Sequence, residues 1–141
     1  MNWLIFAILA LITYGIFDFF VKQTGGKIHD GLGNLIISII PVIAMILFII
    51  YSVMRGENLF IKPGGLKNSI LAGVAISFAS LFFLKTFSAG ANLSIGIPLV
   101  RIGMIAVSVV LGILILKEPI HAKQLAGFVV ALVGLYLLMS K

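Results

Sequence analysis

Two side chains of opposite charge, Asp18 and Arg101, stand inside long apolar runs of the sequence. An Asp or Arg at the centre of a bilayer costs at least roughly 2.5 to 3.5 kcal/mol to insert, so each is expected to meet a partner, a hydrated cavity or a solute. The chemistry they suggest is recognition of a polar or charged molecule at membrane depth. Arg101 suits an anionic group of such a molecule, or neutralises Asp18. Tyr14 precedes Asp18 by one helical turn, Ser108 follows Arg101 by two, and Ser77 and Ser80 share a face of their own run. These four are candidate hydrogen-bonding groups around the same solute.

Other chemistry is missing from the sequence. There is no nucleophile with its base, and with no cysteine neither disulfides nor thiolate metal sites can form. Gly25-Gly26-Lys27 lacks the upstream glycine and the following Ser or Thr of a phosphate-binding loop. His29 with Asp30, and the lone His121, fall at turns and read as solvated loop residues rather than metal ligands. Neither enzymatic activity nor a cofactor or metal is expected.

The elements that must carry these residues follow from composition. Of 141 residues, 62% are hydrophobic and 10% charged, with a mean hydropathy of +1.28. A soluble domain carries about a quarter charged residues, so a globular cytosolic enzyme is excluded. Apolar runs of about twenty residues alternate with short polar clusters, which is the pattern of a polytopic helical membrane protein. The spans are expected at 3–21, 32–54, 68–87, 93–116 and 121–139, forming one domain over 1–141. Glycine, proline or charge interrupts each run, as in Gln23-Thr24-Gly25-Gly26-Lys27, Lys62-Pro63-Gly64-Gly65 and Lys117-Glu118-Pro119. The first run reads as a span and not as a cleaved leader, because only Met1-Asn2 precede it and no small-residue cleavage motif follows. Trp3, Tyr51 and Tyr136 fit interfacial anchors.

Five spans put the two ends of the chain on opposite sides. Arg55, Lys62, Lys67, Lys117 and Lys123 then fall on the amino-terminal side, and Lys22, Lys27, Lys85 and Lys141 on the other. That is almost no bias, whereas a single fixed orientation normally shows a clear Lys/Arg excess on one side. Two readings stay open: insertion in both orientations, or one fixed topology set by other features such as charge position along the loops. The net charge of +6 suits loops against anionic headgroups and is no sign of nucleic-acid binding. Asp18 falls about 9 Å and Arg101 about 7 Å from the midplane, both toward the carboxy-terminal side, so the two charges could meet at one depth. Small and polar residues recur at helical spacing, as Ser94, Pro98, Arg101, Ser108 and Gly112 do in the fourth span. Gly127, Ala131 and Gly134 form a helix-packing or dimer face in the fifth. Pro41 and Pro98 are expected to kink their helices and free backbone carbonyls.

The carboxy-terminal half carries more specific signals. Ile97-Pro98-Leu99, the helix ending Leu116-Lys117-Glu118-Pro119-Ile120, then Gln124-Leu125-Ala126-Gly127 and a last helix with Gly134 resemble the EamA domain of the drug/metabolite transporter superfamily. Tyr14-Gly15 with Lys22, and Phe83-Leu84-Lys85-Thr86-Phe87-Ser88-Ala89-Gly90, are similar to that family's first and third helices. The resemblance implies an all-α integral membrane protein whose five helices form one repeat of a ten-helix, inverted-repeat transporter. It implies alternating-access transport of a small organic solute or metabolite by a dimer. The near-even charge split points to an antiparallel homodimer. Small multidrug resistance proteins, similar in using antiparallel dimers, carry a first-helix glutamate near the place of Tyr14, which leaves Asp18 as the intramembrane acid for coupling. The alternative is a non-transporting membrane subunit, or half of a heterodimeric transporter or flippase with a second five-helix partner. The implied location in a prokaryote is the inner, cell membrane.

Overall fold

The computed structural model describes residues 3–140. Met1, Asn2 and Lys141, used above for the leader and the charge count, lie outside the described residues. The fold is all-helical, with α1 (Trp3–Thr24), α2 (Asp30–Met54), α3 (Gly65–Ser88), α4 (Leu93–Leu114) and α5 (Ala122–Met139). All five are long and apolar enough to cross a membrane. Helix is the natural outcome for such runs, because every backbone N–H and C=O is satisfied within the segment where no water can serve it.

The helix ends show local chemistry that the apolar runs do not reveal. α1 runs to Thr24, whose hydroxyl donates to the Phe20 carbonyl at 2.9 Å, and left-handed Gly26 follows it. α2 starts at Asp30, before the apolar run begins, because the His29 Nδ1 accepts from the Gly31 N–H at 3.2 Å and caps the helix. At its other end Gly56 adopts φ 76°, Gly56 N–H donates to Val53 O at 2.9 Å and Glu57 N–H to Ser52 O at 3.1 Å. This is a glycine-closed Schellman turn. α2 and α4 both continue through their prolines, Pro41 and Pro98. Each ring leaves the carbonyl four residues back, at Ile37 and Ser94, without its helical donor.

α4 stops at Leu114, short of the end of its apolar run, as the Leu116 N–H turns back to Leu111 O at 3.3 Å. The following Lys117 is the one described non-glycine residue with positive φ, at 54°. α5 opens at His121, whose backbone N–H donates to Gln124 Oε1 at 2.9 Å.

The described chain divides into two compact units, Met1–Gly90 and Ala91–Lys141. In the first unit α3 packs against both α1 and α2. Burial gathers at one end of this trio, in Asp18 and Val21 of α1, Gly33 of α2, and Leu84 and Phe87 of α3. Ser52, near the other end of α2, is also buried. Gly25 lies against the Phe87 backbone, and a Cβ on Gly33 would stand 3.0 Å from both Leu84 Cδ2 and Ile28 Cγ2. Only the absence of side chains at these two positions lets the helices close to this distance.

A polar fastener completes that end. Ser88 Oγ donates to Asp30 Oδ1 at 2.5 Å and accepts from the Gly26 N–H at 3.1 Å. The expectation that Asp30 is a solvated loop residue is therefore corrected, since it opens α2 and ties it to α3, while His29 is an exposed residue before α2 that also caps it. Farther along α1 and α3, Gly15 and Gly73 have no heavy atom within 4 Å of a Cβ position. The trio is fastened at the Ser88–Asp30 end. In the second unit α4 packs against α5, and the partly covered α5 residues Phe128, Ala131 and Leu135 recur at helical spacing.

Candidate substrate-binding groups

In the first unit the candidate acid is buried. Asp18 is 5% exposed, on a helix that is apolar enough to span the membrane. No buried side-chain nitrogen or oxygen among the described residues lacks a hydrogen-bond partner, so this carboxylate is not left bare. Around its turn of α1 runs a series of rings. Tyr14 meets Phe17 edge-on at 6.4 Å, Phe17 stacks on Phe83 at 6.4 Å, and Phe83 meets Phe87 edge-on at 5.2 Å. Lys22 Nζ lies 5.6 Å from the Phe87 ring centre, a cation over an aromatic face. Tyr14 and Asp18 are thus one turn apart on the helix that supplies the first ring pair.

The two α3 serines are placed differently from each other. Ser77 Oγ donates to Gly73 O of its own helix at 2.8 Å. Ser80 Oγ reaches across to Asn34 Oδ1 of α2 at 2.6 Å, a part-buried contact between two spans. Asn34 is therefore a polar group beside Ser80 that the sequence analysis did not select. Its signal was an amide one turn into an apolar helix. Ser38 Oγ, in turn, donates to the Asn34 backbone carbonyl at 2.8 Å.

In the second unit Arg101 and Ser108 come together in one open groove of about 640 Å³. Its α4 wall is Arg101, Met104, Ser108 and Gly112, one face of the helix, and its α5 wall is Gln124 and Phe128. Glu118 closes one end. A Cβ on Gly112 would stand 3.2 Å from Glu118 Oε2, so the carboxylate folds back over the buried glycine. The Glu118 N–H also donates to Gly112 O at 3.1 Å. The groove thus has a guanidinium toward one end, a carboxylate at the other, and mostly apolar walls between. Such a lining can hold an elongated molecule with polar ends.

Within the second unit, Gly127 and Gly134 of α5 have no heavy atom within 4 Å of a Cβ position, so α4 does not cover the small-residue face there. Among the described residues no group of three His, Cys, Asp or Glu side chains stands together to hold a metal ion.

The family model of the EamA-like transporter family matches residues 1–140. No curated protein and no solved structure matches the chain. Five membrane-competent helices and a match over nearly the whole length agree with each other, and the chain belongs to the EamA-like transporter family as a multi-pass, all-helical integral membrane protein.

Proposed function

We propose that the protein moves a small organic solute or metabolite across the membrane by alternating access. Two copies would provide ten helices in an inverted-repeat arrangement, as an antiparallel homodimer with dual topology. Tyr14, Asp18, Ser77 and Ser80 of the first unit and Arg101 and Ser108 of the second are the groups that contact the solute or couple its movement. Arg101 takes an anionic group. Pro41 and Pro98 provide backbone carbonyls without helical donors; Gly127 and Gly134 pack against the second copy, while Ala131, partly covered within the chain, serves helix packing. In a prokaryote the membrane is the inner, cell membrane.

The observation that carries this reading is Asp18, a carboxylate 5% exposed on a span of a transporter-family chain. An acid at that depth is a functional feature before it is a structural one, because an apolar residue would pack there at lower cost. The small-residue face of Gly127 and Gly134, left uncovered by α4, supports packing against a further helix such as one of a second copy.

The test has two parts. Cells expressing the chain, or its Arg101→Ala variant, are compared by untargeted mass spectrometry of medium and cytosol. A solute whose distribution shifts with the native chain and not with Arg101→Ala, while both purify as dimers, supports the reading. Normal transport by Arg101→Ala removes the arginine from the site. Reporters fused to each terminus should appear on both sides of the membrane, and a single fixed orientation sinks the antiparallel arrangement.

A further inference from the structure

The segment between α2 and α3 is unlike a water-facing loop. Leu59, Phe60 and Ile61 are 64%, 76% and 76% exposed and belong to no helix or strand. Left-handed glycines bound the segment, Gly56 at φ 76° and Gly64 at φ 82°. They turn the chain sharply out of α2 and into α3, so the apolar triplet does not lengthen either span. Both ends of the segment are fixed to membrane-spanning helices, which holds it at the bilayer boundary. Its backbone forms no regular hydrogen-bonded ladder, so it suits the hydrated headgroup layer and not the hydrocarbon.

The charges around the triplet select among lipids. Arg55, Lys62 and Lys67 accompany a single acid, Glu57. The Arg55 guanidinium lies 5.2 Å from the Tyr51 ring centre and the Lys62 ammonium 5.7 Å from that of Phe60. Aromatic rings at headgroup level with cations beside them match an anionic surface.

We propose that residues 55–67 form an interfacial anchor that buries Leu59, Phe60 and Ile61 at the headgroup–acyl boundary and binds the phosphates of anionic phospholipids through Arg55, Lys62 and Lys67. This surface is separate from the candidate solute groups and does not depend on transport.

The full chain carries one tryptophan, Trp3, so a Trp3→Phe, Phe60→Trp variant reports on the loop alone. It is reconstituted in vesicles of brominated phosphatidylcholine with increasing phosphatidylglycerol. The expected result is blue-shifted emission, shielding from aqueous acrylamide, quenching by the brominated lipid, and relief of that quenching as phosphatidylglycerol displaces it. Lys62→Gln and Lys67→Gln should each lower the preference for phosphatidylglycerol by about fivefold. Emission open to acrylamide and untouched by brominated lipid overturns the proposal, as does quenching with no preference between the two lipids. If Phe60→Trp does not yield folded protein, Leu59→Trp makes the same measurement.

Discussion

A Cβ at Gly25 would stand 2.8 Å from the Cβ of Phe87 and 2.9 Å from its carbonyl carbon. The neighbour is backbone as well as side chain, so it cannot simply rotate away. Gly25→Ala is therefore expected to force α1 and α3 apart and destabilise the protein by about 1 to 3 kcal/mol. Gly73→Ala, at a position with no heavy atom within 4 Å, should instead stabilise by about 0.5 to 1 kcal/mol, as alanine does in a helix interior. Thermal unfolding of both in detergent checks the contrast. Equal midpoints would show that the close approach is not maintained.

Ser88 serves two partners, the Asp30 carboxylate at the start of α2 and the Gly26 N–H in the turn after α1. Ser88→Ala should cost about 1 to 3 kcal/mol, since both are left without this partner. In an Asp30→Ala background the same change should cost less. A double-mutant cycle on unfolding midpoints measures the difference, and strict additivity would mean that the two residues do not cooperate.

Lys117 holds φ 54°, a conformation that costs a residue with a Cβ about 1 kcal/mol. Lys117→Gly is expected to stabilise by about 0.5 to 1 kcal/mol. Ala126→Gly, one turn inside α5, should act in the opposite sense by about 1 kcal/mol. Unfolding midpoints of the two variants against the native chain decide this.

Asp18→Asn keeps the side-chain volume and removes the charge. If Asp18 contacts the solute or couples its movement, transport should fall by about tenfold or more, the effect of replacing a charge-assisted hydrogen bond with a neutral one. The readout is transport of the solute identified with the native chain, alongside detergent chromatography of the native and variant proteins. Unchanged transport excludes Asp18 from the site.

Helix number was legible because hydropathy is a one-dimensional property, and each run of apolar residues had one structural solution in lipid. The Glu-Pro turn was legible as a motif, but not the left-handed Lys117 before it or the return of Glu118 onto Gly112. Those depend on how a chain reverses within a few residues. Ser88 and Asp30 are 58 residues apart in sequence and read as ordinary turn residues. Their bond exists only once α2 and α3 lie side by side. Periodicity put Ser77 and Ser80 on one face of α3 but could not distinguish Ser77, bonded within its helix, from Ser80, bonded to Asn34.

Joining three helices at one end makes that end a fulcrum. α2 has 25 residues, about 37 Å of helix, so a rotation of about 10° at the Ser88–Asp30 fastener carries its far end about 6 Å. A repacking among Gly25, Gly33 and Phe87 that turned α2 by that angle would be amplified at the far end of the helix.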